Sequence, residues 1–84
     1  MGLANLPLAS GHAHAAAFVR LGWVLDSKRR GRGSHFLLTK SGMRPTLSIP
    51  NQREVKRTII ASLIKTAGES EDRYLRAFKG ERFT

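Results

Sequence analysis

The stretch from Trp23 to Pro50 reads WVLDSKRRGRGSHFLLTKSGMRPTLSIP and contains three short segments of alternating apolar residues. This alternation predicts strands over Trp23–Asp26, Ser34–Thr39 and Arg44–Ile49. The first connection is a basic, glycine-rich turn, and Pro50 stops the third strand. Because both connections are short, the strands are expected to form an antiparallel meander.

Helical patterns lie on both sides of this stretch. Ser10 to Leu21 is predicted to be a helix capped by the Ser10 hydroxyl and ended by Gly22. Val55–Ala67 has apolar residues at helical spacing and ends before Gly68. Its start is open between a capping pair, Asn51 with Glu54, and a cap at Thr58. A last short helix is predicted to begin after Ser70.

The predicted order is therefore α-β-β-β-α with a short C-terminal helix. The helices carry most of the apolar surface, so they must cover one face of the three-stranded antiparallel sheet. The other face is left to solvent or to a ligand. This α+β order is that of double-stranded-RNA-binding domains, which contact the minor groove, 2′-hydroxyls and phosphates.

The length of the chain indicates the number of domains, and its charge indicates the kind of partner it binds. The 84 residues suffice for one small domain, and 15 Lys and Arg against 6 Asp and Glu give a net charge of +9. Residues 28–57 hold nine basic residues and one acidic residue, Glu54, a net +8. Such a run can be merely a solvated turn, but its size favours an anionic partner, nucleic acid above all. A membrane surface fits less well because the cluster lies beside glycines rather than on an amphipathic helix.

Several classes are excluded or disfavoured by composition. The chain has no cysteine, so it has neither disulfides nor zinc sites with thiolate ligands. No apolar run approaches the roughly 20 residues of a membrane span. The first nine residues lack the basic start of a signal peptide. A cytoplasmic location is therefore expected.

His35 is the candidate catalytic residue. If Phe36 and Leu38 face the helices, alternation places His35 on the open face of the sheet, beside the basic turn. An exposed imidazole among cations suits chemistry on a phosphodiester, because histidine exchanges protons near neutral pH and arginine stabilises transition-state charge. The competing interpretations are an ordinary surface histidine, or a buried one if the register slips by one residue.

The other two histidines are not predicted to form a site. Residues two apart on a helix point about 200° apart, so His12 and His14 cannot hold one ion. We expect His12 to be exposed and His14 to be packed near the sheet or at a helix edge. Neither a metal site nor a cofactor is predicted.

These residues resemble the HicA toxins of type II toxin–antitoxin systems, over about Ser10 to Phe78. The first helix followed by Leu21-Gly22-Trp23 is similar to that family's helix with a Gly-aromatic end. Arg32-Gly33-Ser34-His35 is similar to its Gly-Ser-His signature. Leu47-Ser48-Ile49-Pro50 resembles its strand closed by proline, and Thr58 to Gly68 resembles its second helix.

The resemblance implies an mRNA-cleaving toxin with a double-stranded-RNA-binding fold, in which His35 is catalytic and a HicB-like antitoxin covers the site. DNA is implied only indirectly, through the antitoxin. The whole chain, 1–84, would be one toxin domain, with residues 1–9 as a lead and 79–84 expected to fray. Two departures are Phe36, where many members have a second histidine, and His14, where an aliphatic residue is usual. The lead is also longer than usual.

The preferred hypothesis is a metal-independent endoribonuclease in which Gly33 and Ser34 shape the turn beneath His35. The residues expected to bind RNA are Lys28, Arg29, Arg30, Arg32, Lys40 and Arg44, and then Lys56, Arg57 and Lys65. One alternative is a non-catalytic RNA-binding or ribosome-associated module. Another is a protein-interaction module with a basic face for an acidic partner, such as an antitoxin.

Overall fold

The computed structural model describes residues 3–26 and 35–84 of the chain. A short 3-10 helix at Leu3–Asn5 precedes three helices and three strands. Their bounds are α1 Gly11–Arg20, β1 Val24–Leu25, β2 His35–Thr39, β3 Leu47–Pro50, α2 Arg57–Thr66 and α3 Glu71–Phe78. The α+β class and the predicted element order are confirmed, and the arrangement is compatible with a double-stranded-RNA-binding fold.

The first helix has the predicted ends. The Ser10 hydroxyl accepts a hydrogen bond from the Ala13 N–H, which satisfies one of the free amides of the first turn. After α1 the chain turns at Gly22, whose φ of +102° is in the left-handed region that favours glycine. The turn brings Trp23 back under the helix. Its backbone N–H donates to the Phe18 carbonyl, and its side chain is buried.

The sheet has the order β1-β2-β3 and is antiparallel throughout. Its inner face carries Leu38, Leu47 and Ile49, all fully buried beneath the helices. The third strand begins at Leu47 rather than at Arg44 as predicted. Pro45 accounts for the difference, because its nitrogen has no hydrogen to donate to a ladder.

Both predicted starts of α2 are wrong, since the helix is preceded by Lys56, which makes no side-chain cap. The Val55 N–H donates to the Ala9 carbonyl, and the Gly11 N–H donates to the Gln52 carbonyl. Residues 52–55 therefore run alongside the lead instead of entering a helix. Val55, predicted in the helix, is fully buried in the core just before it.

The helix α3 closes the core against α1. Its start is the predicted one, because the Ser70 hydroxyl accepts from the Arg73 N–H. The ring of Tyr74 is buried, with its centroid 4.9 Å from that of Phe18. Aromatic packing of this kind contributes to the α1–α3 contact beyond the apolar area it buries.

The segment after α3 also contacts the body of the protein. The Phe83 N–H donates to the Arg20 carbonyl at the end of α1. The guanidinium of Arg73 lies 4.4 Å from the Phe83 ring centroid and that of Arg76 lies 5.2 Å away, both within cation–π range. These contacts hold Phe83 at the end of the α1–α3 pair.

Candidate active site

His35 is the first residue of β2 and is exposed. It lies opposite Pro50, the last residue of β3. Phe36 and Leu38 point to the helices, because Leu38 is fully buried and Phe36 packs against the core. Alternation along the strand then places His35 on the open face. The predicted orientation of this residue follows from the observed register.

Apart from His35, the open face of the sheet carries apolar and hydroxyl side chains. By the same alternation and pairing, the residues that share it with His35 are Leu37, Thr39, Ser48, Pro50 and Val24. Neither hydroxyl residue is opposite His35. In the described part of these two strands, His35 is thus the residue of this face whose side chain type is suited to general acid–base chemistry.

The basic turn lies outside the described residues. Its predicted members are Lys28, Arg29, Arg30, Arg32, Gly33 and Ser34. The turn leads directly into His35, so its distance from the imidazole along the chain is short whatever path it takes. Its role in binding RNA stays a prediction.

Lys40 lies at the far end of β2 from His35. Five residues of extended chain span about 16 Å, so the two side chains cannot hold the same phosphate. The Lys40 ammonium donates to the Leu21 carbonyl at 3.0 Å and lies 3.9 Å from a Glu69 carboxylate oxygen. These contacts link the end of α1 to the segment between α2 and α3. Arg44, in the following turn, is exposed.

The three basic candidates of the α2 region lie on the helix side of the sheet. Arg57 donates from Nε to the Leu6 carbonyl at 2.6 Å and so fastens the lead to α2. Lys56 is exposed, and Lys65 lies near Leu3 and Leu6 at the rim of a cleft. For this group, as for Lys40 and Arg44, contact with RNA stays a prediction.

Gly11 packs against the backbone of Pro50, on the opposite side of β3 from the open face, and the sequence patterns did not point to it. A Cβ atom at this position would lie 1.9 Å from the carbonyl oxygen of Pro50, far inside contact distance. Only glycine therefore lets the start of α1 lie on the end of β3, directly opposite His35. The signal in the sequence was a glycine immediately after a capping serine, where alanine is a better helix former.

His12 and His14 have separate positions, as expected. His12 is exposed, and its ring centroid lies 6.1 Å from that of Phe36 in an edge-on arrangement. His14 is fully buried and its Nδ1 forms a hydrogen bond with the Tyr74 hydroxyl. His14 thus packs against α3, whereas it was expected near the sheet or at a helix edge.

Burial lowers the pKa of His14 below its ordinary value of 6.5, and the nearby backbone carbonyl of Pro7 partly opposes this. The unfolded chain therefore binds more protons than the folded one below pH 6.5. The contribution of neutral His14 to stability is fully present above that pH and decreases as the pH falls.

We expect the free energy of unfolding to fall between pH 7 and pH 5, with a slope approaching about 1.4 kcal/mol per pH unit from this group. Urea denaturation at several pH values measures it. In the double variant His14→Leu with Tyr74→Phe, both polar groups are removed, so the slope should be shallower. An unchanged slope would show that other groups cause the pH dependence.

In residues 3–26 and 35–84, no three His, Asp or Glu side chains gather as a group that could hold a metal ion. None of the helices in these ranges is long and apolar enough to cross a membrane.

Comparison with known proteins gives one finding. A family model described as the HicA toxin of bacterial toxin–antitoxin matches residues 14–69, two thirds of the chain. No curated protein and no solved structure matches. The matched region includes most of α1, the three strands with His35, and all of α2. The chain therefore belongs to the HicA family of toxins from bacterial toxin–antitoxin systems.

Proposed function

We propose that this toxin is an endoribonuclease that cleaves mRNA and thereby stops translation, with His35 as its catalytic residue. The observation that supports the proposal is the exposed His35 on the open face of the sheet, at the end of the most basic segment of the chain. Membership of a toxin family supplies the context, because cleavage of mRNA is an activity that makes such a small protein toxic.

The proposed reaction needs no metal ion. His35 takes the proton of a ribose 2′-hydroxyl, and the resulting oxygen attacks the adjacent phosphorus. The bond from phosphorus to the 5′-oxygen of the next nucleotide breaks, and that oxygen receives a proton from solvent or from an acid. The products are a 2′,3′-cyclic phosphate and a 5′-hydroxyl. Alternatively, His35 gives the proton to the leaving oxygen.

The basic residues have an electrostatic role in this proposal. Phosphate contacts by Lys28, Arg29, Arg30 and Arg32 would hold the strand, and guanidinium groups near the scissile phosphate would stabilise its extra negative charge. Binding should therefore weaken steeply with salt. Because Lys40 and Arg57 are engaged with backbone carbonyls, the first four are better suited to this role.

We expect the purified chain to cleave single-stranded RNA in the presence of EDTA and to leave 2′,3′-cyclic phosphate ends. Gel analysis of end-labelled RNA, with and without phosphatase treatments that distinguish the ends, measures this. Tight, salt-sensitive binding without cleavage on long incubation would contradict the proposal and favour a non-catalytic RNA-binding module. Cleavage that stops in EDTA would contradict the metal-independent mechanism.

A further inference from the structure

A groove of about 280 Å³ lies between α1 and the outer edge of the sheet. It is on the helix side of β1 and β2, whereas His35 is on the opposite face. Its principal lining residues are His12, Val19, Arg20, Leu25, Phe36 and Arg82. Neither the chemistry of His35 nor the proposed RNA contacts use this groove.

Aliphatic side chains are exposed at this groove. Val19 on α1 is 40% exposed and Leu25 on β1 is 44% exposed, although both lie beside the core. Val24, next to Leu25 on the same edge strand but on the other face of the sheet, is 63% exposed. Exposed aliphatic groups clustered at one edge of a small protein are typical of a surface that a partner protein covers.

Within the described residues, the backbone of β1 is also open at this edge. The Asp26 N–H donates to the Leu37 carbonyl, which makes these two residues a hydrogen-bonded pair of the antiparallel ladder. Leu25, the next residue along, then belongs to a pair that exchanges no hydrogen bonds, so its N–H and C=O point outward. The strand order places β1 at the edge of the described sheet. An outward N–H and C=O can bind an added strand.

We propose that this edge, with the groove behind it, binds an extended segment of the antitoxin that carries both aliphatic and acidic residues. Aliphatic side chains would enter the groove over Leu25 and Val19. Carboxylates would pair first with Arg82 at its rim, and then with Arg20, whose guanidinium also donates from one nitrogen to the Ala77 carbonyl at 3.0 Å. The partner follows from membership of a toxin–antitoxin family, so the inference does not depend on the proposed nuclease chemistry.

Charge and apolar character favour an acidic antitoxin segment over a second copy of the chain and over RNA. A second copy of the chain would bring another +9 and the same two arginines to the interface, which is repulsive. RNA would match the arginines and could stack on His12, but its phosphates and sugars would leave the exposed Val19 and Leu25 without an apolar partner. An acidic protein segment satisfies both the arginines and the aliphatic groups.

The test is Leu25→Glu, with binding measured by calorimetry against the purified product of the reading frame adjacent to this chain's gene. We expect affinity to fall by about tenfold or more, because a carboxylate would be buried in an apolar groove beside acidic partner groups. Leu8→Glu is the matched control, because Leu8 is 49% exposed and belongs to the lead, away from the groove. It should bind like the wild type.

A second measurement does not depend on a variant. In the complex, the amide hydrogen of Leu25 should exchange with solvent more slowly than in the free chain. Equal affinity for both variants, no binding by the wild-type chain, or unchanged exchange at Leu25 would each overturn the proposal.

Two further outcomes would assign the edge to another occupant and also overturn the proposal. One is self-association in sedimentation that Leu25→Glu abolishes, and the other is a loss of RNA affinity without loss of partner affinity. Cleavage of RNA by Leu25→Glu, measured separately, should equal that of the wild type. A failure of the proposed nuclease activity is thereby distinguished from a failure of this inference.

Discussion

His35→Ala is expected to slow RNA cleavage by about 10²–10⁴-fold, the usual loss when a general acid or base is removed. The residue is exposed at the start of a strand, so its loss should leave the fold intact. The rate constant for cleavage of a defined RNA under single-turnover conditions measures the effect. Expression of the variant in cells should likewise be far less toxic than that of the wild type.

His12→Ala is the matched control for that experiment. Like His35 it removes an exposed imidazole, but His12 lies on the helix side of the sheet, near Phe36. We expect it to cleave RNA at close to the wild-type rate. If His35→Ala cleaves as fast as the wild type, or if the two variants lose activity equally, His35 is not the catalytic residue.

Gly11→Ala is expected to lower the free energy of unfolding by about 3 kcal/mol, as severe overpacking does. The added Cβ would meet the Pro50 carbonyl oxygen at 1.9 Å and its carbon at 2.9 Å. Both are backbone atoms, so α1 and β3 must move apart. Alanine's better helix propensity recovers less than about 1 kcal/mol. For a domain of this size, with a stability of roughly 4–13 kcal/mol, the loss is large.

Urea denaturation measures the free energy of unfolding of Gly11→Ala and Gly42→Ala. The comparison separates the effect of a steric clash, expected at Gly11, from that of backbone strain, expected at Gly42. Gly42 has a φ of +85° with nothing within 4 Å of an added Cβ, so its substitution should cost only about 1–2 kcal/mol. A Gly11→Ala protein as stable as the wild type would contradict the close packing at this position. Because Pro50 lies opposite His35, cleavage by Gly11→Ala should also be slower than its folded fraction explains.

The elements that sequence patterns predicted well are those with strong local signals. Ser10 and Ser70 each cap a helix because a hydroxyl satisfies a free amide, and this needs only neighbouring residues. Leu47 and Ile49 alternate with polar residues and lie on the buried face. The start of α2 was missed because Val55 is held by Ala9, a residue 46 positions away that no local pattern records.

The site was predictable in part. The outward direction of His35 followed from the alternation around Phe36 and Leu38, and the register agrees. The internal bonds of Lys40 and Arg57 were not predictable, because a cation that binds a distant carbonyl has the same sequence signature as one that binds a phosphate. The groove at β1 was missed for a similar reason, since it joins residues from α1, from β1 and β2, and from the segment after α3.

The packing of α1 on α3 has a consequence for when this toxin can acquire its structure. His14 and Phe18 meet Tyr74, a residue about 60 positions later in the chain. The hairpins of the sheet are local and can form early, but α1 lacks this partner until the last helix has been synthesised. Contacts between such distant residues form late, because loop closure is costly before they are made. We therefore expect the nascent toxin to remain incompletely folded on the ribosome until α3 has emerged.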